Sequence, residues 1–421
     1  MKIKYLFNKY NIILKNIFSL SLVNVINSII PLVIVPYLLN VLGTENFGRY
    51  SFVNSINIYV LIITTFGFNI SATKIVSKYR NKRNYLNLYY NTVILIRILL
   101  TILVLLPLFF ITYYIPSFEN DFVSFLFSIG IYFGDIFISL WFFQGVEKMK
   151  YIAVIFAIQK LLYILLVFVF IKDGTHYSII FLLNSITYIL VAIITFFYLH
   201  KKFKIIFFVP KYKTIKKYFI SSLSIFFSTL GISLYRNINI IILGIVSSSY
   251  EVGIYSAAEK IVKSFQSITL TISNALFPHI SYIFKNDNVK NNLNKLFKLT
   301  VIFFITLFVL TLSFFILSNF FALIINSNSA DETALLLKIM SFVVLFGGLN
   351  YLLGIIGLIN LNYENKFTLF VYVTGLINII LTFLLSYYYS SIGTSISFVL
   401  SEFILLLLIL NQIYKIKLNY K

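Results

Sequence analysis

Cysteine is absent from this chain of 421 residues, and charged side chains make up only 11% of it. Without cysteine there are no disulfide bonds and no thiolate metal ligands. The three histidines form no paired metal-binding spacing, so we expect neither a metal site nor a cofactor. Water-soluble domains carry roughly 25% charged residues. The small share of charge, beside 60% hydrophobic residues, predicts a protein whose solvent is lipid.

Acidic residues are the scarcest part of that charge. The chain has 13 aspartates and glutamates against 34 lysines and arginines, which gives a net charge of +21. In a soluble protein this excess would indicate a nucleic-acid partner. Basic loops on one side of a membrane explain it here, so we expect no nucleic acid.

Apolar runs of about 20 residues, the length that crosses a bilayer, recur along the whole chain. Because a backbone in lipid must satisfy its own hydrogen bonds, these runs predict an all-α integral membrane protein. Twelve transmembrane helices are predicted, at approximately residues 16–39, 47–70, 92–115, 121–143, 151–171, 178–199, 218–244, 253–283, 296–321, 335–360, 367–388 and 392–413.

Lysine and arginine are divided very unequally between the loops. Twenty-six of them lie in the termini and in alternate loops, whereas the opposite loops hold only Lys172. Basic loops stay in the cytoplasm. The distribution therefore predicts that both termini are cytoplasmic, and it supports an even number of helices.

An internal repeat is visible at one helix junction. The segment FGRYS at 47–51 matches VGIYS at 252–256, an offset of 205 residues, and a Leu-Gly pair precedes each copy. Since six helices return the chain to the side where it started, the two copies have the same orientation in the membrane.

The repeat predicts two parallel six-helix bundles. The N-terminal half covers residues 1–200 and the C-terminal half covers residues 218–421. The basic segment 201–217 is predicted to be the cytoplasmic linker between them.

Ten charged residues fall within the predicted spans, with a net charge of +4. A charge at the centre of a spanning helix costs roughly 2.5–3.5 kcal/mol, so such residues usually face a bundle interior or a wet cavity. The positive balance favours an anionic substrate. The ten are Arg49, Arg97, Lys160, Arg236, Lys260, Lys263, Lys338, Asp135, Glu259 and Glu402.

Arg236 and Lys260 are the strongest candidates for substrate binding, with Arg49 third. Arg236 lies about eight residues from either end of its span, too deep to reach the interface easily. Lys260 points about 100° away from Glu259 around the helix, so it escapes pairing with that carboxylate. Arg49 lies near a span end, where extension toward the interface explains it equally well.

The remaining charges have two interpretations each. Arg97 either contributes to the cationic site or extends to the interface, whereas Lys338 is interpreted as interfacial. Lys160 either contributes to the site or forms a structural ion pair with Asp135. Glu402 is either a coupling carboxylate or the partner of a cavity lysine.

Two further features of the spans bear on charge and on motion. Lys263 follows Glu259 by four residues, which predicts a pair on one helix face. Pro31 and Pro36 interrupt the hydrogen bonds of the first span, so they are hinge candidates or simple bends.

The motifs resemble those of a known family. The segment LGTENFGRYS at 42–51 resembles the signature after the first helix of Wzx-type polysaccharide flippases, which belong to the MOP exporter superfamily. The segment GIYSAAEK at 253–260 resembles the family's start of helix 8, and Phe277-Pro278 resembles its end. The resemblance extends over essentially the whole chain.

The resemblance implies a flippase that moves undecaprenyl-diphosphate-linked oligosaccharide across the bacterial inner membrane by alternating access. It implies a MATE-like arrangement around a central cationic cavity, with membrane lipid as a partner. Polysaccharide polymerase and chain-length proteins are further candidate partners. Asn237 and Asn239 stand where many relatives carry an acid, so a coupling role for that motif is not carried over.

Two other functions remain open. A multidrug-type antiporter on the same fold would favour an excess of carboxylates in its cavity, which is the opposite sign to this chain. A membrane polysaccharide polymerase would carry a large periplasmic loop with catalytic residues, whereas the longest predicted outer loop, near 322–334, has about a dozen residues. A transporter, not an enzyme, is therefore predicted.

Overall fold

The protein is helical along the chain that the structure describes. This computed structural model describes residues 2–114, 121–286 and 288–419, with side chains from residue 29 onward except at a few positions. Short 3-10 turns cover Gly174–His176 and Ser327–Ser329, and a π-helical turn covers Tyr351–Leu358. The α-helices are α1 (Lys2–Thr65), α2 (Phe68–Tyr79), α3 (Arg83–Tyr114), α4 (Phe122–Ile138), α5 (Leu140–Gly145), α6 (Met149–Phe170), α7 (Ile179–Phe203), α8 (Tyr212–Val246), α9 (Ser249–Asn286), α10 (Val289–Ile316), α11 (Ser318–Ile325), α12 (Ala330–Asn350) and α13 (Glu364–Asn419).

The outer faces of these helices are apolar. Leu103, Leu165 and Ile316 expose 66%, 57% and 73% of their surface. Water would penalise so many exposed large hydrophobic side chains, whereas lipid tails do not. The chain is a multi-pass, all-α integral membrane protein.

Within the described residues, nine helices are long and apolar enough to cross a bilayer. Two of them, Ile29–Tyr79 and Glu364–Asn419, each cover two predicted spans. The predicted span at 253–283 lies in α9, outside these nine. The arrangement of twelve helices in two bundles stays a prediction.

The two longest helices are each broken at a single residue. In α1 the dihedral angles leave the helical range at Gly43, with φ of 75° and ψ of 164°. In α13 they do so at Ser390, with φ of 47° and ψ of −126°. A positive φ suits glycine, which has no Cβ to clash with the backbone. Both breaks lie in the gaps between predicted spans.

The hinge candidates of α1 do not coincide with its break. Pro31 and Pro36 lie inside the helix, seven or more residues before Gly43. Proline removes one backbone hydrogen bond but its φ fits a helix, so a membrane helix accommodates it. The hinge role of the two prolines stays a prediction.

The helices form two compact units. The first contains residues 53–230 together with the first 26 residues, and the second contains 27–52 and 231–421. These boundaries differ from the predicted halves, because α1 and α8 are each divided between the units. The predicted repeat of 1–200 in 218–421 remains untested by this division.

The first unit has an aromatic core near the ends of α2, α3 and α7. Trp141, Tyr89, Tyr90 and Phe142 are fully buried in it. Edge-to-face pairs such as Tyr90 with Phe142, whose ring centroids are 5.9 Å apart, add specificity to burial. The second unit instead has an aliphatic core, with Leu352, Ile356 and Ile409 at its centre.

The two copies of the repeated motif contact each other inside the second unit. A Cβ added to Gly48 would overlap the carbonyl oxygen of Ser249, and a Cβ added to Gly253 would overlap the carbonyl oxygen of Thr44. Thr44 and Ser249 are themselves related by the offset of 205 residues. The contact is therefore reciprocal, as in a self-complementary twofold interface.

This contact predicts that Gly48→Ala and Gly253→Ala each destabilise the protein. The new methyl group would meet backbone, which cannot rotate away, and overpacking of this kind costs about 1–3 kcal/mol. Thermal unfolding of the purified protein in detergent measures the loss. Gly375→Ala is the matched control, because its Cβ would lie 3.4 Å from its nearest neighbour. Equal unfolding temperatures for all three variants would show that the glycine contact is not tight.

Candidate functional site

Lys260 lies on α9 in an aromatic cage built by the first copy of the motif. Its Nζ is 4.6 Å from the ring centroid of Phe47 and 5.0 Å from that of Tyr50. It also donates a hydrogen bond to the Ser51 hydroxyl at 3.3 Å. Cation–π contacts of this kind contribute about 0.5–2 kcal/mol and neutralise no charge. The ammonium is thus held in place while its positive charge stays available.

Arg49 belongs to the same motif and is bound more loosely. Its Nη2 is 3.6 Å from Glu45 Oε1, one helical turn earlier, and 27% of its side chain is exposed. An exposed pair on one helix is worth a few tenths of a kcal/mol. Such a pair leaves Arg49 free to exchange its partner for another anion.

Arg236 lies half-buried on α8, in the second unit. Its guanidinium carbon is 5.8 Å from the ring centroid of Tyr351, the first residue of the π-helical turn. No carboxylate in the described part of the chain forms an ion pair with it. π-Helical turns recur at functional sites. Here the turn carries an aromatic ring that lies beside the Arg236 cation.

Lys263 ties α9 to α8 beside these cations. Its Nζ is 3.1 Å from Glu259 Oε1, which confirms the predicted pair at four-residue spacing. It also donates to the backbone carbonyl of Arg236 at 2.8 Å and to Asn237 Oδ1 at 3.3 Å. Glu259 is buried and accepts a further hydrogen bond from Tyr255. This pair fixes the end of α8 that carries Arg236.

Glu402 is a buried carboxylate held by two amides. It accepts hydrogen bonds from Gln266 Nε2 at 3.1 Å and from Asn350 Nδ2 at 2.7 Å. No lysine of the described residues forms an ion pair with it, so the interpretation of Glu402 as a lysine's ion-pair partner is not met in this conformation. It interacts electrostatically with Arg236 through space. A coupling role stays a prediction.

A neutral amide network occupies the interior between α8, α9 and α13. Asn239 Oδ1 accepts from Asn378 Nδ2 at 2.8 Å and from the Thr382 hydroxyl at 3.2 Å. The Asn239 amide donates to the Tyr255 hydroxyl at 3.1 Å, and Ser401 donates to Asn378. Because buried polar groups are costly unless paired, this network specifies how the three helices pack.

The other predicted site residues lie in the first unit. Arg97 is only 1% exposed, and its guanidinium pairs with Asp135 Oδ2 and donates to the carbonyl oxygens of Asp135, at 3.1 Å, and Thr64, at 3.3 Å. The interpretation that Asp135 pairs with Lys160 is therefore wrong. The planar fork of the guanidinium reaches the carboxylate and the carbonyls together. Lys160 is half-buried and forms no ion pair among the described residues.

Arg97 is thus a structural residue in this conformation, although it was a predicted substrate ligand. Its guanidinium is held by the Asp135 carboxylate and by the backbone carbonyls of Thr64, Asp135 and Ile136, and its charge is matched by Asp135. Lys338, interpreted as interfacial, is half-buried and forms no ion pair among the described residues.

The structure brings Arg49, Arg236 and Lys260 into one unit, with Glu259 and Glu402. Sequence analysis missed Tyr351 and the caging rings of Phe47 and Tyr50. Aromatic residues are abundant, 31 tyrosines and 46 phenylalanines, so no single ring stands out. Asn378 was also missed, although an asparagine within a predicted apolar span is a signal that could have found it.

Comparison with known proteins places this chain in a family. The sequence model of a family described as "Polysaccharide biosynthesis protein" matches residues 13–284, more than half of the chain. A protein of Escherichia coli (strain K12) named "Putative O-antigen transporter" is 26% identical over 388 residues, covering 92% of this chain and 93% of that protein. A protein of Shigella dysenteriae with the same name is 25% identical over 275 residues, covering 63% and 67%.

Solved structures share the fold. Lipid II flippase MurJ in an inward closed conformation has a TM-score of 0.72 and 16% identity, covering 96% of this chain and 90% of that one. An inward-facing multidrug resistance MATE family transporter of the MOP superfamily has a TM-score of 0.74 and 12% identity, covering 94% and 95%. At such low identity the likeness concerns the fold alone. The family match and the shared fold lead to one conclusion: this chain belongs to the polysaccharide biosynthesis protein family and has the all-α membrane fold seen in MOP superfamily transporters.

Proposed function

We propose that the protein is a flippase for lipid-linked oligosaccharide. It moves undecaprenyl-diphosphate-linked repeat units across the bacterial inner membrane by alternating access. Twelve transmembrane helices form two six-helix halves around a central cavity, and both termini are cytoplasmic. Family membership and the names of the relatives support a role in polysaccharide export, and the charges of the second unit support the diphosphate.

The observation that carries the proposal is that neither Arg236 nor Lys260 forms an ion pair among the described residues. Arg236 and Lys260 are half-buried among apolar spans, yet aromatic rings and a hydroxyl hold them in place of carboxylates. Keeping a cation in such surroundings without an ion pair costs free energy. A binding site can keep such a cation when the ligand itself supplies the anion.

A diphosphate matches these groups chemically. Phosphate oxygens accept charge-assisted hydrogen bonds, and the guanidinium of Arg236 offers two parallel donors. Lys260 adds a point charge, and Arg49 adds a third cation by releasing its exposed contact with Glu45. The partly buried rings of Tyr50 and Tyr351 provide flat surfaces on which sugars pack. The lipid tail remains in the bilayer.

Glu259 and Glu402 moderate the charge of the site. Glu259 is already paired with Lys263, and Glu402 accepts hydrogen bonds from amides. The carboxylates therefore stabilise the scaffold and leave the cationic groups to the substrate. Glu402 interacts electrostatically with Arg236 through space. It is therefore the candidate residue that links substrate binding to energy coupling.

A cation-exporting function on the same fold is less well supported. A multidrug-type antiporter would bind its cationic substrates through free carboxylates. Both carboxylates near this site already have donors, and the groups without anions are positive. An anionic substrate fits this arrangement.

The proposal predicts the effects of substitutions at Arg236. Arg236→Ala should abolish surface polysaccharide, because the phosphate loses a contact worth about 2 kcal/mol or more, at least a tenfold loss of affinity. Arg236→Lys should retain part of the activity, since the charge remains and the fork is lost. Complementation of a flippase-deficient strain measures both variants, with membrane expression checked.

Lys338→Ala is the matched control for that experiment. It also removes a half-buried cation of the second unit, but Lys338 is interpreted as interfacial and should be nearly silent. Full complementation by Arg236→Ala at equal expression would contradict the diphosphate site. Inactivity of Lys338→Ala alone would show that the substrate cations were wrongly chosen.

A second prediction separates structural from substrate-binding cations. Arg97→Gln leaves the Asp135 carboxylate without its partner, and removing one partner of a buried ion pair costs about 3–5 kcal/mol. Arg97→Gln combined with Asp135→Asn should recover part of that loss, because no charge is then left unpaired. Thermal unfolding in detergent measures both variants.

Lys160→Gln provides the contrast in the same unit. It removes a half-buried cation that forms no ion pair among the described residues, so the unfolding temperature should not fall. If Arg97→Gln unfolded at the wild-type temperature, the Arg97–Asp135 pair would not be the structural element described above.

A further inference from the structure

A basic cavity of about 190 Å³ lies in the first unit, where three helices leave the apolar region. The end of α2, the start of α3 and the end of α7 surround it. Its walls carry four cations, two asparagines and four apolar side chains. They are Arg80, Arg83, Lys202, Lys204, Asn81, Asn87, Leu86, Phe142, Phe203 and Ile205.

The cavity is fixed in shape by the chain that follows α7. Asn87 Oδ1 accepts a hydrogen bond from the backbone N–H of Ile206 at 3.0 Å, and Asn91 Oδ1 accepts from Phe208 at 3.2 Å. Asn91 also donates to the carbonyl of Ile206. These bonds hold the wall in place before any ligand binds, which lowers the entropic cost of binding.

Most of the cations in the cavity lack an anion. Arg80 pairs with Glu147 at 2.8 Å, whereas Arg83, Lys202 and Lys204 form no ion pair within the described ranges. Lys202 donates to the Tyr151 hydroxyl at 3.3 Å. Beside the cavity, partial burial and then the charge of Lys202 lower the pKa of Lys148. An anion in the cavity would relieve this repulsion.

An apolar groove of about 370 Å³ continues along the same helix. It lies between α4 and α7, and Phe133, Phe137, Ile189, Ile193 and Phe196 line it together with Gly134, Ala192 and Phe197. None of the described side chains that line the groove is polar.

The groove and the basic cavity share one face of α7. Ile189, Ile193, Phe196 and Phe203 follow each other at intervals of four, three and seven residues, which places them in one stripe. The ring of Phe196 is 6.2 Å from that of Phe137, and the ring of Phe203 is 5.0 Å from that of Phe142. The seven-residue step from Phe196 to Phe203 spans about 10 Å along the axis.

We propose that this face binds an anionic glycerophospholipid of the surrounding bilayer, with its phosphate in the basic cavity and an acyl chain in the groove. The arrangement matches such a lipid in order as well as in chemistry. The charged end lies where the helices end, and the apolar end lies along the membrane-spanning part of α7. This site is separate from the Arg236 cluster, and the proposal does not depend on the flippase function.

The cavity distinguishes an anionic from a zwitterionic head. A choline or ethanolamine head would bring its own positive charge next to those of Arg83 and Lys204. A phosphatidylglycerol head brings only negative charge and hydroxyls, which the arginine fork and asparagines bind. Basic pockets between membrane helices bind anionic head groups in this way.

Native mass spectrometry of the full-length protein in detergent tests the proposal. Dioleoylphosphatidylglycerol should bind the wild type more tightly than dioleoylphosphatidylcholine. The double variant Arg83→Gln, Lys204→Gln should weaken phosphatidylglycerol binding by about tenfold or more. Lys204→Gln alone should show part of the loss. Ile193→Trp, which fills the groove, should weaken it through the acyl chain.

The double variant Lys211→Gln, Lys213→Gln is the matched control. It removes the same charge from exposed positions a few residues further along, outside the cavity. It should bind phosphatidylglycerol as the wild type does, and every variant should keep the wild-type unfolding temperature. An equal loss in the control would overturn the site, since charge alone would then govern binding.

Two further probes identify the source of the phosphate. Inorganic phosphate that displaces phosphatidylglycerol at equal concentration would make the cavity a free-anion site. Undecaprenyl phosphate that binds more tightly than phosphatidylglycerol, and is lost in the same variants, would assign the face to the carrier lipid. Either result, or equal binding of the two phospholipids by the wild type, overturns the proposal.

Discussion

The reciprocal glycine contact is the constraint on which the candidate site depends. Gly48 admits the backbone of Ser249, and Gly253 admits the backbone of Thr44, so the backbones of α1 and α9 are in close contact here. That approach brings Phe47, which shares a motif with Gly48, onto the ammonium of Lys260. Small residues allow such approaches in membranes, where burial of apolar surface gives no driving force between helices.

The repeat explains why this contact is reciprocal. Each copy of the motif supplies a glycine and a carbonyl four residues earlier, and each glycine receives the carbonyl of the other copy. The copies diverge at the next position, where Arg49 stands in the first and Ile254 in the second. The two copies therefore share the same backbone contact, but only the first copy has a cation, Arg49, after its glycine.

The protein stabilises buried cations in two ways. The difference distinguishes a structural cation from the candidate substrate-binding cations. In the first unit, Arg97 is matched by a carboxylate and by backbone carbonyls, which leaves nothing for a ligand. In the second unit, Arg236 and Lys260 are matched by aromatic rings. A ring lowers the cost of the charge without cancelling it, so the charge can still attract an anion.

Sequence patterns predicted the features that depend on neighbouring residues in the chain. The helix breaks at Gly43 and Ser390 fall between predicted spans, and the pairing of Lys263 with Glu259 follows from helical spacing. Contacts between segments that are distant in the sequence could not be predicted from these patterns. The partner of Asp135 is Arg97 and not the expected Lys160, because it depends on how α3 and α4 pack.

The π-helical turn was equally invisible from sequence. It begins at Tyr351, whose ring lies beside Arg236, but the segment YLLGIIGL has the composition of any apolar helix. Within this turn, Gly354 allows close helix packing, since a Cβ there would overlap the ring of Phe367.

The central claim is that the cations of the second unit bind the diphosphate of a lipid-linked oligosaccharide. Photocrosslinking measures this directly, with a photoreactive amino acid at Tyr351 and, for comparison, at the outward-facing Leu384. Radiolabelled undecaprenyl-diphosphate-linked oligosaccharide should crosslink at position 351, and excess undecaprenyl diphosphate should displace it. Equal crosslinking at both positions, or a signal at 351 that undecaprenyl diphosphate leaves unchanged, would contradict the account.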